Sequence, residues 1–218
     1  MDLYYGEYAG HDVDAVVTTR ELLRMIRAAH IEPSTLVDQE SDRPMQEGTG
    51  AGVIFGATGG VMEAALRTVY RVLEGEEAPA DFYQLRPVRG LSNRKEAEVT
   101  IAGKKLRVCI LYGTAAAEKF LAEDMNGYHF VEVMACPGGC VGGGGQPIHE
   151  GKEMAEIRSR NLYFLDSQNE RRFSHENPEV LKTYEEYLEK PLSRMSHKLL
   201  HTDHHGWDMP LAPKLKKR

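Results

Sequence analysis

The sequence predicts an α/β fold in which a partly parallel sheet is flanked by helices and followed by a helical tail. Between residues 12 and 140, short apolar runs alternate with stretches of helical periodicity, which is the pattern of strand–helix units. Beyond residue 155 the strand-like runs stop and only helical patterns remain. The chain has 218 residues, 41% of them hydrophobic, which is enough for a domain of ordinary size with a real core.

The first strand–helix unit is predicted near the N-terminus. Val13 to Val17 is apolar and β-branched, which favours a buried strand. Thr18 and Glu21 are three residues apart, as in a capping box, so a helix should begin here and end before Pro33. Its predicted apolar stripe consists of Leu22, Leu23, Met25, Ile26 and Ala29.

The second predicted strand–helix unit contains several glycines. A strand-like piece, Val53 to Phe55, leads through the turn GATGG into a predicted helix from Val61 to Leu73. A glycine-rich turn before a helix can bind an anion, because unpaired N–H groups and the helix dipole point outward. The turn has neither the GxGxxG spacing nor a following GK[ST], so nucleotide binding is weakly supported. A tight strand–helix turn is the simpler interpretation.

The following segments complete the predicted sheet. They are a hairpin of Glu98 to Ala102 with Leu106 to Leu111, a helix from Ala115 to Glu123, and a strand from Tyr128 to Met134. Cys109 lies within the second hairpin strand, among apolar neighbours. A free cysteine in such a place is predicted to be a small buried hydrophobe and not a metal ligand.

The predicted tail is helical. A helix is expected from Arg158 to Asp166, a second beginning with Asn177 as N-cap and Pro178 at the first position, and a third capped by Ser193. His201, His204 and His205 cluster near Asp203, where a metal site is conceivable, but histidines near a terminus are more often solvated. The final PKLKKR is predicted to be a mobile basic tail.

Composition excludes several classes of function. The net charge of −6 argues against a general nucleic-acid-binding protein, which needs a basic face. No apolar run approaches the ~20 residues that span a bilayer, and the first residues lack the pattern of a secretory signal. Three cysteines are too few for a disulfide framework. We therefore expect a cytoplasmic protein without a membrane or nucleic-acid partner.

The strongest chemical signal is the stretch Val131 to Pro147, VEVMACPGGCVGGGGQP. It holds Cys136 and Cys140 among closely spaced glycines, where backbone can approach another group closely. Thiolates beside bare amide N–H groups suit an iron–sulfur cluster, since the amides can donate to sulfide. Half a zinc site or two ordinary loop thiols are the alternatives, although no second cysteine pair exists for zinc.

The identity of the residues in this stretch is more informative than the spacing of its cysteines. MACPGGCVGGGGQP resembles the third signature of iron–iron hydrogenases, the motif that binds their H-cluster. TGAGVIFGATGGVMEAALRT, Thr49 to Thr68, resembles the segment of that family that precedes a helix beside the cluster. Asp12 to Ile26 and Ser174 to Thr202 are similar to the family as well, so the resemblance covers nearly the whole chain.

The resemblance implies a cofactor and a set of site residues. The family makes or splits hydrogen at a four-iron cubane joined through one cysteine sulfur to a two-iron unit that carries carbon monoxide and cyanide. By motif position Cys140 would be the bridging ligand and Cys136 a ligand of the cubane alone. The other implied residues are Met134 beside the two-iron unit, Gly59 and Gly60 as backbone lining the cluster pocket, and Glu132, which would orient the loop.

The chain also departs from the family pattern. The cubane needs four thiolates, and the family takes the other two from motifs of the type TSCCPxW and MPCxxKxxE, which do not occur here. We therefore expect residues 1–155 to be the carboxyl part of a large-subunit catalytic domain, 156–205 a small-subunit-like tail and 206–218 a basic extension. This carboxyl-terminal lobe should need a polypeptide or chain segment that carries the first two motifs, together with a ferredoxin or an NAD(P)-linked subunit as electron carrier.

Two other functions stay open. The chain could be a non-catalytic hydrogenase-like sensor or an inactive truncated remnant that keeps the fold. It also resembles the eukaryote-type relatives that assemble clusters and carry a CPxGCxxGGGQ loop. The segment GATGGVMEAALR is closer to the hydrogenases than to those relatives, so cluster assembly ranks last. As a hydrogenase part, the chain is expected to be inactive alone.

Overall fold

The structure is a computed structural model that describes residues 14–40, 47–79, 82, 86–87, 93–123 and 126–201. Its α-helices are α1 (Thr19–Ala28), α2 (Gly50–Ile54), α3 (Gly60–Glu74), α4 (Thr114–Leu121), α5 (Ala155–Gln168), α6 (Pro178–Thr183) and α7 (Arg194–Leu200). Its strands are β1 (Arg86–Pro87), β2 (Arg94–Ile101), β3 (Lys104–Tyr112) and β4 (Phe130–Met134). The chain divides into two compact units, Met1–Ser174 and His175–Arg218.

The four strands form one sheet in the order β1-β2-β3-β4. β1 with β2 and β2 with β3 are antiparallel, and the second pair is the predicted hairpin around Gly103. β3 and β4 are parallel, with Cys109 opposite Val131 and Tyr112 opposite Met134, and α4 connects them. The predicted α/β fold with a partly parallel sheet is confirmed.

The sheet is covered on both faces, which explains why four successive residues of β3, Val108 to Leu111, are all buried. On one face, α3 contributes Met62 and Leu66 to a core shared with the strands. On the other face, Cys109 and Leu111 pack with residues of α4, among them Phe120. Cys109 is thus a buried core residue, as predicted, and burial raises the pKa of its thiol to about 11.

Two predicted strands are wrong within the described residues. Val53 to Phe55 is not a strand, since Val53 and Ile54 lie in α2 and Phe55 ends that helix. Thr49 caps α2, its hydroxyl accepting from the Gly52 amide at 3.1 Å, and Ala51 and Ile54 are buried one helical turn apart. A run of three apolar residues does not distinguish the two structures, and the cap decides for the helix.

The other wrong strand is Val13 to Val17. Val13 lies outside the described residues, and residues 14–17 have no regular secondary structure and pair with no described strand. Val16 is 90% exposed, so the β-branched run does not mark a buried strand in this chain.

The helix predicted after Thr18 is confirmed as α1, together with its capping box. The Thr18 hydroxyl accepts from the Glu21 amide, and the Glu21 carboxylate accepts from the Thr18 amide at 2.8 Å. The apolar stripe, however, is not a buried face, because α1 contains no buried residue. Local signals are therefore sufficient to form α1, although its apolar stripe stays largely exposed in the described part of the chain.

A buried ion network joins α3 to α5. The Arg67 guanidinium donates to both carboxylate oxygens of Asp166, at 2.8 and 2.7 Å, and to Glu63 at 2.6 Å. Arg172 adds a further bond to Asp166 at 2.8 Å. Burial alone would raise the pKa of Asp166, but these guanidinium bonds hold it below its usual range. The network therefore fixes α5 beside α3 within the first compact unit.

The second unit begins with the predicted caps. The Asn177 side chain accepts from the amides of Glu179 and Val180, Pro178 is the first residue of α6, and Ser193 caps α7. α6 continues directly into a π-helix, Tyr184–Leu188. His204, His205 and the basic tail lie outside the described residues. Among the helices that the structure describes, none combines the length and the apolar character needed to cross a membrane.

Candidate metal centre

The cysteine loop follows β4 at the carboxyl end of the parallel strand pair, which is where α/β sheets commonly bind ligands. Met134 ends the strand, and its carbonyl accepts from the Gly113 amide at 2.7 Å. Cys136 and Cys140 are free and exposed, and Cys140 opens a short 3-10 helix, Cys140–Gly142. Both predicted thiol ligands are therefore accessible on one short loop.

The loop is docked on the turn between α2 and α3 by backbone hydrogen bonds. The Thr58 amide donates to the Gly138 carbonyl at 3.0 Å, and the Val141 amide donates to the Gly56 carbonyl at 3.1 Å. Gly139 lies between these bonds with φ of 86°, and a Cβ there would lie 2.7 Å from both the Gly56 oxygen and the Thr58 nitrogen. Only glycine permits this approach, so the two glycine-rich motifs of the sequence form one interlocked structure.

Glu132 connects the interlocked cysteine loop and α2–α3 turn to the sheet. Its buried carboxylate accepts from the Gly59 amide at 2.5 Å and from the Met62 amide at 2.7 Å, at the N-terminus of α3. A carboxylate is stabilised at this end of a helix by the free N–H groups and the dipole. Met134 lies two residues further along β4, on the same face as Glu132, and is half-buried.

Gly60 contributes through close approach of the backbone. A Cβ at this position would lie 1.7 Å from the Ile54 carbonyl oxygen, so α3 begins directly against the end of α2. Gly60 is buried, and its amide donates to Ala57 at 2.9 Å, whereas the Gly59 amide serves Glu132. The backbone of both glycines is therefore committed to shaping the turn beneath the loop.

Two arginines hold the outer part of the loop. Arg158 of α5 donates to the Val141 carbonyl at 2.9 Å and also to the Pro147 carbonyl. Arg20 of α1 donates from its side chain to the Gly144 carbonyl at 2.7 Å and from its amide to Gly145 at 3.2 Å. The glycine run is thereby fixed from two sides, although it has no regular secondary structure beyond its single 3-10 turn.

The loop uses many of its own donors. The amides of Gly139, Gly142 and Gly143 bond to carbonyls within the loop, besides the Val141 bond to the α2–α3 turn. These groups are therefore not the bare donors that the glycine content suggested. Among the described residues, no acceptor is found for the amides of Cys136, Gly138 and Cys140, or for the buried hydroxyl of Thr58.

These features fit part of a cluster site. Two accessible thiols and unpaired donors beside them match the donor set of an iron–sulfur unit. Within the described ranges, no three His, Cys, Asp or Glu side chains are grouped to hold a metal ion. Cys109 is buried in the sheet core, so two of the three cysteines of this chain, Cys136 and Cys140, are accessible as ligands.

Sequence reasoning identified the loop but missed what supports it. Arg20, Thr58 and Arg158 were not singled out. Glu132 was interpreted as orienting the loop, and the structure shows that its carboxylate accepts from two amides at the N-terminus of α3. A glutamate in the middle of an apolar strand was the one available signal, because a buried carboxylate requires donors. Nothing local marks the arginines, which act over more than ten residues of sequence separation.

Comparison with protein-family models gives two matches in chain order. Residues 4–144 match the model described as iron only hydrogenase large subunit, C-terminal domain. Residues 152–207 match the iron hydrogenase small subunit.

Individual relatives include both hydrogenases and assembly proteins. The NADP-reducing hydrogenase subunit HndD of Solidesulfovibrio fructosivorans is 45% identical over 195 residues, which is 88% of this chain and 33% of that protein. Iron hydrogenase 1 of Clostridium pasteurianum is 45% identical over 198 residues, which is 87% of this chain and 34% of that protein. The cytosolic Fe-S cluster assembly factor narfl of Xenopus tropicalis is 30% identical over 216 residues, which is 94% of this chain and 44% of that protein. The chain thus spans about a third of the length of these hydrogenases.

Solved structures agree with the sequence matches. A variant of the FeFe-hydrogenase HydA1 from Chlamydomonas reinhardtii superposes with a TM-score of 0.70 and 37% identity, over 88% of this chain and 55% of that one. A HydA structure described as revealing stepwise H-cluster assembly superposes with a TM-score of 0.69 and 38% identity, over 88% of this chain and 56% of that one. The large-subunit model alone covers residues 4–144 of the 218. The chain therefore belongs to the iron-only hydrogenase family: it corresponds to the C-terminal domain of the large subunit, followed by a small-subunit-like tail.

Proposed function

We propose that this chain is the carboxyl part of an FeFe-hydrogenase catalytic domain and contributes Cys136 and Cys140 to an H-cluster. The observation that carries the proposal is the interlocked loop. Two exposed thiols are presented by backbone that is hydrogen-bonded to the α2–α3 turn, and Glu132 of β4 connects that turn to the sheet. Rigid support of this kind is what a preorganised metal site requires.

The cofactor would be completed by a partner. Because Cys109 is buried, the two thiolates missing from a four-cysteine cubane must come from elsewhere. We propose that a polypeptide or chain segment with the TSCCPxW and MPCxxKxxE motifs supplies them. When bound, the H-cluster would supply the iron chemistry that interconverts hydrogen with protons and electrons.

The residues of this chain would hold and orient that group. Cys140 would bridge the cubane and the two-iron unit, and Cys136 would bind the cubane alone. Met134, on the same face of β4 as Glu132, would place its polarizable thioether beside the two-iron unit. Gly59 and Gly60 would form the backbone floor of the pocket. We keep 1–155 and 156–205 as the proposed division between catalytic part and tail.

Electron exchange needs a further partner. We propose an NAD(P)-linked subunit or a ferredoxin as electron carrier, and the relative HndD, an NADP-reducing hydrogenase subunit, supports the first of these. We also propose a cytoplasmic location, which the relatives named cytosolic support, although one hydrogenase relative is named periplasmic.

The test is co-production with a partner that carries the first two motifs, together with the cluster-maturation machinery and without oxygen. The complex should reduce a dye with hydrogen and show infrared bands of carbon monoxide and cyanide. Cys140→Ser should abolish both, because the bridge to the two-iron unit is lost, whereas Cys109→Ala should retain them as the control for loss of a thiol. Full activity of Cys140→Ser would refute the assignment.

A second candidate, cluster assembly without hydrogen turnover, is favoured by the relatives that are named as cytosolic iron–sulfur assembly proteins, which are 30% and 31% identical. The same experiment separates the two. A complex that binds iron and sulfide but shows neither infrared bands nor hydrogen-dependent dye reduction would support assembly, or a sensor, over catalysis.

A further inference from the structure

A buried hydroxyl without a partner lies in the turn beneath the cysteine loop. Thr58 Oγ1 is shielded from solvent and makes no hydrogen bond to any residue that the structure describes. Buried polar groups are almost always paired, and an unpaired one in a native structure indicates a partner such as a ligand or an ordered water. The position of Thr58 decides which partner is available.

The backbone of Thr58 lies against the middle of the cysteine loop. Its amide donates to the Gly138 carbonyl at 3.0 Å, and Gly139 approaches so closely that a Cβ there would lie 2.7 Å from the Thr58 nitrogen. Gly138 and Gly139 lie between Cys136 and Cys140 in the sequence, so the Thr58 backbone contacts the part of the loop that joins the two cysteines.

The backbone amides of this turn all have hydrogen-bond acceptors. The amides of Ala57, Thr58, Gly59 and Gly60 donate to Ile54, Gly138, Glu132 and Ala57 respectively. The hydroxyl of Thr58 is therefore the one hydrogen-bond donor that this turn leaves unused among the described residues. Cys136 and Cys140 are exposed, and neither is in a disulfide.

We propose that the Thr58 hydroxyl donates a hydrogen bond to a sulfur of the bound iron–sulfur unit, either a loop thiolate or a cluster sulfide. Thr58 is then a tuning residue that acts on the cluster and contributes little to the fold. A donor at sulfur stabilises the more negative, reduced cluster and so raises its reduction potential. This inference rests on the proposed function, because it requires a cluster at Cys136 and Cys140.

The first test uses the chain without a cluster. Thr58→Val keeps the shape of the side chain and removes the unpaired hydroxyl, so the midpoint of thermal unfolding should stay the same or rise. A fall of several degrees, relative to Thr58→Ser, would show that the hydroxyl already has a partner in the protein or in a buried water. That result would overturn the proposal.

The second test uses the complex with the partner segment. The midpoint potential of the four-iron unit is measured by a redox titration followed by electron paramagnetic resonance. Thr58→Val should shift it to more negative potential, changing the ratio of reduced to oxidised cluster at a fixed potential by roughly threefold to tenfold. Thr58→Ser, which keeps the hydroxyl, should match the wild type, as should Thr100→Val, which removes the hydroxyl of an exposed residue of β2.

The outcomes separate the two proposals. A wild-type complex that binds no iron overturns both of them. A wild-type complex with a normal cluster signal, combined with a Thr58→Val potential equal to that of Thr100→Val, overturns only the role of Thr58.

Discussion

The cysteine loop and helix α1 are opposite cases within the same compact unit. The loop has little regular secondary structure, yet its backbone is bonded to the α2–α3 turn, to α5 and to α1. Helix α1 has a complete capping box, yet it contains no buried residue, and Met25 of its apolar stripe is 57% exposed. One region is shaped by distant contacts, the other by local signals alone.

The difference teaches that formation of an element and its packing are separate problems. A capping box and good helix formers are sufficient to define α1. The loop depends instead on a few positions where any side chain would collide with backbone from another element. Substitutions should therefore be costly in the loop and nearly neutral in α1.

The largest effect is expected for Gly139→Ala. The new Cβ would lie 2.7 Å from two backbone atoms of the α2–α3 turn, at a φ of 86° that alanine adopts poorly. We expect a loss of about 3 kcal/mol in the free energy of unfolding, measured by urea denaturation. Gly144→Ala is the matched control, since a Cβ there meets no atom within 4 Å, and its loss should stay below about 0.5 kcal/mol. Equal losses for the two variants would contradict the docking described for this loop.

A smaller loss is expected for Glu132→Gln, which weakens the connection between β4 and α3. The carboxylate accepts from two amides, and an amide side chain offers one oxygen and turns an NH₂ group toward the second donor. We expect a loss of about 2 kcal/mol in the same denaturation measurement. Glu118→Gln on the exposed side of α4 serves as control and should be neutral. If both variants unfold at the same urea concentration, Glu132 does not stabilise the turn.

The smallest effect is expected for Leu22→Ala in α1. Leu22 is 47% exposed, so truncation removes little buried surface and should cost no more than about 0.5 kcal/mol in this chain. Leu66→Ala, at a buried position of α3, should cost about 2–5 kcal/mol by the same measurement. A large loss for Leu22→Ala would remove the contrast between the two regions.

The sequence predicted the elements better than their surroundings. The caps at Thr18, Asn177 and Ser193 depend on residues within one helical turn and were predicted correctly. The run at Val53 was predicted wrongly, because three apolar residues carry no period and the decision comes from the Thr49 cap and from burial. Of the candidate site, the two cysteines and the glycines were singled out by motif. Arg158 was not, because its role depends on carbonyls far away in sequence.

The bonds of Arg20 connect the two contrasting regions mechanically. Arg20 belongs to the first turn of α1, and its amide and guanidinium hold Gly145 and Gly144, only a few residues after Cys140. A displacement of α1 must therefore either break these bonds or pull the glycine run along with it. A group that packed on the apolar side of α1 would thus be linked through one residue, Arg20, to the segment that follows Cys140.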